Sequence, residues 1–355
     1  FSIGFREAEY NELDYARVVA RQYGTDHHEL TIGPDALGNL EDLAWYLDEP
    51  FGDSSAIPTY IVSKLAAQSV KVVLSGDGGD ELFAGYDRYV VEQKERNRLK
   101  LPRIVRRALG AISRQMPEGM RGKNYLRHAS MDGGARYLDA STLFRRSDFS
   151  KLFQRDFAHS LFHFEPLTAH ADRLNRGDRH WLSTLQDCDI RRYLPLDILT
   201  KVDRMSMAHS IEIRVPLLDH KLVEFAATIP PEMQLRGDVT KNLLKRAMRG
   251  ILPDVVIDRP KRGFAVPLSY WFRGKLRAQV RELLLGERTK RRGTYNTRYV
   301  ERLMSLHEAG RNLDLELWTL ISFELWSRVF VDGDGRRKAQ ATGAAGRSCI
   351  HLVSS

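Results

Sequence analysis

Three acidic side chains and three glycines lie within six consecutive residues, and this loop is the segment of the sequence best suited to chemistry. An apolar run, Val70 to Leu74, predicts a buried strand that ends in the loop Gly76–Glu81. Glycine lets a backbone approach a bulky anion and leaves N–H groups to point at it. Clustered carboxylates repel one another unless a cation or a substrate ammonium joins them. A nucleotide and metal site at the carboxyl end of a parallel sheet is therefore favoured over a tight turn with solvated acids.

Composition limits the class of protein before any motif is considered. The chain has 355 residues, enough for one or two domains, and its 43% hydrophobic and 28% charged residues are typical of a globular protein. No uninterrupted apolar run approaches the roughly 20 residues that span a bilayer, so no membrane partner is expected. Two distant cysteines, Cys188 and Cys349, fit neither a disulfide framework nor a zinc site, which agrees with a cytoplasmic location.

The charge balance is basic, with 55 Lys and Arg against 46 Asp and Glu. Much of the excess lies between residues 94 and 127, and such a run can bind nucleic acid or acidic lipid. Aromatic residues are nearly absent from this run, with Tyr125 as the exception. A solvated helix face is therefore the interpretation that we favour, and we expect no nucleic-acid partner.

The first ninety residues alternate between strand and helix patterns. Strands are predicted at Phe1–Phe5, His28–Ile32 and Val70–Leu74, and helices at Asp14–Tyr23, Pro34–Leu47 and Ile57–Gln68. Strands separated by helices of this length indicate parallel βαβ units. The sequence therefore predicts an α/β nucleotide-binding part over residues 1–90.

Residues 91–330 show mainly helical periodicity, broken by prolines. From Asp332 onward the chain is rich in Gly, Arg, Ala and Ser without periodicity. We therefore predict one domain over residues 1–330, with a large helical part after residue 90, and a disordered tail over 331–355. The predicted helical segments are Leu182–Leu194, Leu222–Ile229, Asn242–Leu252, Leu276–Leu285, Tyr299–His307 and Leu315–Phe330.

The segment Leu74-Ser-Gly-Asp-Gly-Gly-Asp-Glu-Leu-Phe-Ala-Gly-Tyr86 closely resembles the strand and loop of the glutamine-dependent asparagine synthetases. Six further segments resemble the same family in the same order, and together they extend to about Trp326. They are Phe1–Phe5, Gly24–Glu29, Asp48–Ser55, Lys201–Met207, Ile211–Asp219 and Arg259–Pro267.

The resemblance implies both a fold and a reaction. The fold is an α/β domain with a parallel sheet, of the adenine nucleotide α-hydrolase-like (PP-loop ATP pyrophosphatase) type, with a large helical C-terminal part. The reaction is the ATP-dependent amidation of aspartate through β-aspartyl-AMP, with ammonia supplied from glutamine. ATP and Mg²⁺ are the implied cofactors, and a homodimer is the candidate assembly.

Family positions that contact ATP match Ile3 and the Ser75-Gly76 pair. An ordinary strand-core role for Ile3 stays equally open. Asp77 matches a catalytic acid that is often Glu in the family, so the charge is kept while the reach is shorter. Asp80 is the candidate for the Mg²⁺–pyrophosphate side, because hard carboxylate oxygens suit Mg²⁺.

Lys261, in Arg-Pro-Lys-Arg-Gly-Phe, matches the family lysine that contacts the phosphates, and we assign it a catalytic role. A mobile cation suits the charge that develops on departing pyrophosphate. Glu212 and Arg214 lie in a charged but partly apolar segment. We interpret them as lining or supporting a pocket for the amino acid, with a structural ion pair as the alternative.

Two departures from the family pattern bear on activity. The chain opens on Phe1 within a predicted strand, and the family's Ser-Gly-Gly-x-Asp-Ser loop does not occur in it. No N-terminal cysteine of a glutaminase half is present either. We therefore expect a C-terminal fragment, truncated before its phosphate-binding loop and inactive by itself.

Other functions stay open beside asparagine synthesis. A related amidotransferase could use the same motifs on another carboxylate, for example one encoded with polysaccharide machinery. A non-catalytic fragment or binding module is a second alternative. A tRNA-modifying relative would need a basic, aromatic-bearing appendage, which the sequence does not show.

Overall fold

The computed structural model describes residues 1–98, 101–116, 120, 122–161, 163, 174, 179–260 and 263–333. The described part is mostly helical and contains two small parallel sheets. The predicted tail over 331–355 lies outside the described residues from residue 334 onward.

The first sheet joins β1 (Ser2–Phe5) and β2 (Glu29–Ile32) in parallel, with Ile3 opposite Leu30. Helix α1 (Leu13–Tyr23) connects them and ends at Gly24, whose φ of 59° is the left-handed conformation that glycine adopts readily. This strand–helix–strand unit agrees with the sequence prediction. The parallel pairing follows because the helix carries the chain back to the same end of the sheet.

The second sheet joins β3 (Val72–Leu74) to β4 (Glu212–Arg214), again in parallel, with Val73 opposite Ile213. The expectation that β3 is a buried strand is wrong, because Val72 is 43% and Leu74 is 72% exposed. Within the described residues, β3 pairs with one neighbour only, so its other edge has no strand partner.

Helices make up most of the remaining described chain. The predicted helix at Pro34–Leu47 is a 3₁₀ segment, Pro34–Asn39, followed by α2 (Leu40–Leu47). The first half further contains α3 (Ala56–Ala66), α4 (Gly79–Leu82), α5 (Asp87–Arg98), α6 (Arg103–Gln115), α7 (Lys123–Ser130), α8 (Gly133–Ala140), α9 (Arg146–Leu152), α10 (Arg155–Ser160) and α11 (Trp181–Cys188).

The second half begins with a π-helical stretch, Asp189–Leu199, which continues directly into α12 (Thr200–Met207). Nine helices follow in the described chain, and those up to Leu268–Arg273 are short, as the prolines predict. They are α13 (His220–Thr228), α14 (Pro231–Gln234), α15 (Asn242–Ala247), α16 (Asp254–Ile257), α17 (Leu268–Arg273), α18 (Arg277–Leu285), α19 (Glu287–Arg292), α20 (Thr297–Glu308) and α21 (Asp314–Trp326).

The largest hydrophobic core joins the first sheet to the last helices. Ile3 and Phe5 of β1 belong to the same buried cluster as Trp271, Leu284 and Trp318. The C-terminal helices therefore pack on the α/β part and share one core with it. Within the described ranges, no helix is both long and apolar enough to cross a bilayer.

Candidate active site

The acidic loop begins where β3 ends, beside a cavity of about 660 Å³. Ser75 donates its backbone N–H to the carbonyl oxygen of Arg214 at 2.9 Å, so the pairing with β4 extends to the residue that begins the loop. In parallel α/β sheets, ligands bind at this carboxyl edge. Residues that line this cavity include Asp53, Ser54, Ser55, Ser75, Gly76, Asp77, Asp80, Glu81, Tyr193 and Lys201.

Two glycines allow the loop to fold tightly. Gly78 has a φ of 81°, in the left-handed region, and a Cβ there would collide with the side chain of Leu218. At Gly85, a Cβ would collide with the side chains of Asp80 and Lys241. Any larger residue at these two positions would push the loop away from its neighbours.

Ser75, Gly76 and Asp77 line the same cavity. The Ser75 hydroxyl donates a hydrogen bond to the Asp77 carboxylate. A Cβ on Gly76 would meet no atom within 4 Å, so the backbone there is open to a ligand. The structure thus brings together the predicted ATP-contacting pair and the predicted catalytic acid, whose roles stay predictions.

Asp80 forms an ion pair that the sequence did not predict. Its Oδ1 atom lies 3.0 Å from Lys241 Nζ. Lys241 adopts a left-handed φ of 50°, uncommon for a residue with a Cβ, at the start of α15. A single sequence carries no signal for this pair, since 160 residues separate its members.

The carboxylates of the loop suit Mg²⁺ when a substrate completes the coordination. Among the described residues, no group of three or more His, Cys, Asp or Glu side chains could hold a metal alone. Mg²⁺ is usually bound by one or two carboxylates together with phosphates and waters. Asp77 and Asp80 offer this donor chemistry at the cavity wall.

Glu81 lies in the first turn of α4 and is only 1% exposed. Its Oε1 atom accepts a hydrogen bond from the Tyr86 hydroxyl at 2.5 Å, and burial raises the pKa of Glu81. Gln186 donates from Nε2 to the Glu81 carbonyl at 3.0 Å. Glu81 is therefore held in place from two sides, and its carboxylate contacts a side chain rather than solvent.

A buried polar network lies behind this wall, around Asp189. The hydroxyls of Tyr89 and Tyr137 both donate to Asp189 Oδ2, and Arg88 Nη2 lies 3.0 Å from the same atom. The Arg88 guanidinium also lies 4.2 Å from the ring centre of Tyr86. Burial raises the pKa of Asp189, while Arg88 and the two hydroxyls oppose that rise. This network joins α5, α8 and the π-helical stretch beneath the cavity.

A second ionic cluster forms part of the cavity wall itself. Lys201 Nζ donates to Asp53 Oδ2 at 2.6 Å and to Ser55 Oγ at 2.7 Å. Asp197 Oδ1 lies 3.9 Å from the same nitrogen. The Ser55 hydroxyl donates to Asp53 Oδ2 at 2.6 Å, and the Ser55 side chain makes no capping hydrogen bond to α3.

Ile3 and the Glu212–Arg214 pair lie away from the main cavity. Ile3 is buried and lines a second cavity of about 470 Å³. Glu212 and Arg214 are exposed and bond to each other at 2.7 Å. Only Ile213 of β4 faces the main cavity, because neighbouring side chains of a strand alternate between faces.

The charged side chains of β4 therefore form the ion pair that was the alternative interpretation, and the structure places neither of them in the cavity wall. Lys261, the predicted phosphate-contacting lysine, lies outside the described residues. Gly263, which follows it closely, lines both cavities.

The sequence profile of the asparagine synthase family matches residues 1–328. The chain belongs to this family. A glutamine-hydrolysing asparagine synthetase 1 of Bacillus subtilis is 31% identical over 334 residues, covering 94% of this chain and 52% of that protein. An amidase of Penicillium rubens is 26% identical over 319 residues, covering 82% of this chain and 47% of that protein.

The chain thus spans about half the length of the curated relatives that it matches. The family match confirms the resemblance that the glycine-rich acidic loop first indicated, and it extends over nearly the whole described chain. The cavity and its loop lie within the region that this chain shares with the Bacillus subtilis synthetase.

Proposed function

We propose that this chain provides the site at which aspartate is amidated to asparagine at the expense of ATP. Ammonia derived from glutamine is the proposed nitrogen donor. The observation that carries the proposal is the glycine-rich acidic loop, open to a cavity at the carboxyl end of β3, in a member of the asparagine synthase family.

The proposed chemistry has two steps. First, a β-carboxylate oxygen of aspartate bonds to the α-phosphorus of ATP, the bond from that phosphorus to its bridging oxygen breaks, and pyrophosphate leaves with the electron pair. In the second step, the nitrogen of ammonia bonds to the acyl carbon of β-aspartyl-AMP, AMP leaves, and the nitrogen loses a proton. The first step needs charge stabilisation on phosphate oxygens, and the second needs it on the acyl oxygen and on the departing AMP.

The loop residues supply that stabilisation. Gly76 and the tightly turned Gly78 present backbone close to the nucleotide, and Ser75 adds a hydroxyl. Lys241, held beside Asp80, adds a cation near the phosphates, and we propose the same role for Lys261. Mg²⁺, when bound, neutralises phosphate charge, and Asp80 would hold it with help from Asp77.

The finer fold is part of the same proposal. Parallel strand pairs with a site at their carboxyl ends agree with a PP-loop ATP pyrophosphatase type of domain. We also propose a cytoplasmic ligase that binds neither nucleic acid nor membrane, with a homodimer as the candidate assembly.

The proposal is tested by aspartate-dependent release of pyrophosphate from ATP in the full protein. We expect AMP and asparagine in equal amounts when ammonia is supplied. The variant Asp80→Asn should require more Mg²⁺ for half-maximal rate, because one anionic oxygen is lost from the cation's surroundings. The control is Asp87→Asn, which alters an acid outside the cavity wall. No aspartate-dependent pyrophosphate release from the wild type would refute the function, and an unchanged Mg²⁺ requirement would refute the role of Asp80.

A second acceptor class has support from the comparisons. The relative from Penicillium rubens is named an amidase, although it matches 82% of this chain. Amide chemistry on a different carboxylate is therefore the competing proposal. Pyrophosphate release assayed across a panel of carboxylic acids separates the two, since an asparagine synthetase should respond to aspartate alone.

A further inference from the structure

Another pocket, of about 200 Å³, lies outside the chemistry proposed above. It opens between α9, α20 and the first turn of α21, and we call it the α20 pocket. It shares no lining residue with the two cavities described above. Pockets for drug-sized ligands measure roughly 300–1,000 Å³, so the α20 pocket suits a smaller molecule.

The inner wall of the α20 pocket is apolar. Leu303 and Leu313 are buried, and Leu306, which also lines the pocket, is half-buried. Leu303 and Leu306 are three residues apart on α20, so both side chains lie on the same face of the helix. The three leucines would remove an aliphatic or aromatic side chain of a ligand from water, which favours its binding.

The outer wall of the pocket is charged. The charged side chains that line it are those of Arg145, Lys151, Arg302, Arg311, Asp148 and Glu316. Arg145 already donates to Asp139 at 2.8 Å, and Lys151 Nζ lies 3.7 Å from Asp148 Oδ1. Within the described part of the chain, Arg302, Arg311 and Glu316 form no ion pair. Two guanidinium groups and one carboxylate are therefore left for a ligand.

Glu316 differs from the two arginines because it is half-buried, in the first turn of α21. Burial raises the pKa of its carboxyl, and the Asp314 carboxylate adds to that rise, while Arg311 and Arg145 oppose it. The arginines thus do not compensate for the water that Glu316 has lost. A positively charged hydrogen-bond donor in the pocket would favour the ionised form of this carboxyl.

These features together exclude the simpler classes of ligand. A carboxylic acid without an amino group would match the guanidinium groups but would add a second negative charge beside Glu316. An amine would match Glu316 but would leave both guanidinium groups without a partner. An inorganic anion would leave the three leucines in contact with water. A molecule with a carboxylate, an ammonium group and an apolar side chain satisfies both walls of the pocket.

We propose that the α20 pocket binds a free α-amino acid with an apolar side chain. The carboxylate of the ligand accepts hydrogen bonds from Arg302 and Arg311, because the planar guanidinium group matches the geometry of a carboxylate. The ammonium group donates to Glu316, and the side chain packs on the three leucines. The inference does not depend on the proposed function, since the α20 pocket is separate from the cavity of the acidic loop.

The test is a calorimetric titration of the full protein with leucine. Leucine should bind with a Kd of about 1 mM or lower. Two analogues lack one charged group each: 4-methylpentanoate has no amino group, and 3-methylbutylamine has no carboxylate. Each analogue should bind at least about tenfold more weakly than leucine, because part of the charged wall is left unmatched. Saturating aspartate and ATP should leave the affinity for leucine unchanged.

Two variants assign the binding to this pocket. Arg302→Gln should weaken the binding of leucine about tenfold. Glu316→Gln should weaken the binding of leucine but not that of 4-methylpentanoate, so the preference for the amino acid should disappear. The matched control is Arg291→Gln, at an exposed arginine of α19 that does not line the pocket, and it should bind leucine as the wild type does. Thermal unfolding of each variant shows whether folded protein has been lost.

Four results would overturn the inference. They are the absence of saturable leucine binding, equal affinities for leucine and 4-methylpentanoate, displacement of leucine by aspartate, and full affinity in Arg302→Gln. Displacement by aspartate would place the leucine in the cavity of the acidic loop instead. Should Arg302→Gln fail to fold, Arg311→Gln decides the matter with the same titrations, since Arg311 lines the same pocket.

Discussion

The molecule has two interiors of opposite character. The core around Trp271, Leu284 and Trp318 is apolar and closely packed. The interior beside the cavity holds Arg88, Asp189 and the Lys201 cluster, with charges paired in low dielectric surroundings. The apolar core stabilises the fold by removing apolar area from water, whereas the ion pairs of the polar interior add little net stability.

The difference indicates what each interior is for. Apolar packing holds the C-terminal helices to β1 and tolerates many side chains of similar volume. Buried charge is expensive and persists where its geometry serves binding or a specific arrangement of elements. Loss of one side chain should therefore affect stability in the first interior, and stability together with ligand binding in the second.

The largest effect is expected for Trp318→Ala in the apolar core. Trp318 is almost completely buried, and removal of a buried aromatic ring leaves a cavity that costs about 3–5 kcal/mol of unfolding free energy. Urea unfolding followed by circular dichroism measures the loss. Val255→Ala, at an exposed site, is the control and should change stability by less than about 0.5 kcal/mol. A loss below about 1 kcal/mol for Trp318→Ala would contradict the picture of a tightly packed core.

In the polar interior, Asp189→Ala should cost about 3 kcal/mol, because Arg88 and two tyrosine hydroxyls lose their shared acceptor. Tyr137→Phe removes the hydrogen bond from that hydroxyl to Asp189 and leaves the charge pair, so it should cost about 1 kcal/mol. The ratio of the two losses, from the same unfolding measurement, sharpens the comparison. Equal losses would show that the hydroxyls, and not the charge, carry the stability of the network.

Lys241→Met tests binding rather than stability. The loss of a cation beside Asp80 should weaken ATP binding about tenfold, or about 1.4 kcal/mol, while Lys241→Arg should keep most of the affinity. Fluorescence titration with a nucleotide analogue measures this. Lys245→Met removes a nearby positive charge of α15 and is the control. Equal weakening by both Met variants would indicate a general effect of charge and not a specific contact.

The smallest effect is expected at Asp139, in a half-buried ion cluster away from the cavity. Hydrogen bonds from His128 and Arg145 lower the pKa of Asp139 to about 2, although burial opposes them. A carboxyl with a lowered pKa stabilises the fold above its unfolded pKa, and this contribution is lost as the pH falls from about 4 to 2.

Asp139→Asn should therefore lose about 1 kcal/mol of stability at pH 7 and little at pH 2. Unfolding free energies at several pH values measure the slope. A difference between wild type and variant that does not depend on pH would show that the cluster acts through packing alone.

The sequence predicted the local elements well and the long-range contacts poorly. The α1 helix ended at Gly24 as expected, because a glycine in the left-handed conformation is a local stop signal. The glycine-rich acidic loop lies at the end of β3 beside a cavity, as glycines directly after an apolar run predicted. Periodicity and turn residues carry this information within a few positions.

Contacts between distant residues had no comparable signal. The pairing of Asp80 with Lys241 and of Asp189 with Arg88 joins segments about a hundred residues or more apart. The burial of β3 depends on which elements pack on its faces, so the apolar run alone predicted its burial wrongly. The sequence correctly indicated an ion pair between Glu212 and Arg214 as one alternative, but it did not show which face of β4 carries these side chains.

The one-sided pairing of β3 has a consequence for the motion of the loop that follows it. A three-residue strand with exposed side chains opens at little cost, and its amide hydrogens should exchange with deuterium within seconds to minutes. The far end of the loop is held differently, since Glu81 and Leu82 are buried and their carbonyls accept hydrogen bonds from Gln186. The loop is thus anchored at its trailing end and pivots at its leading end, so a nucleotide that binds it would slow exchange most at Val72 to Ser75.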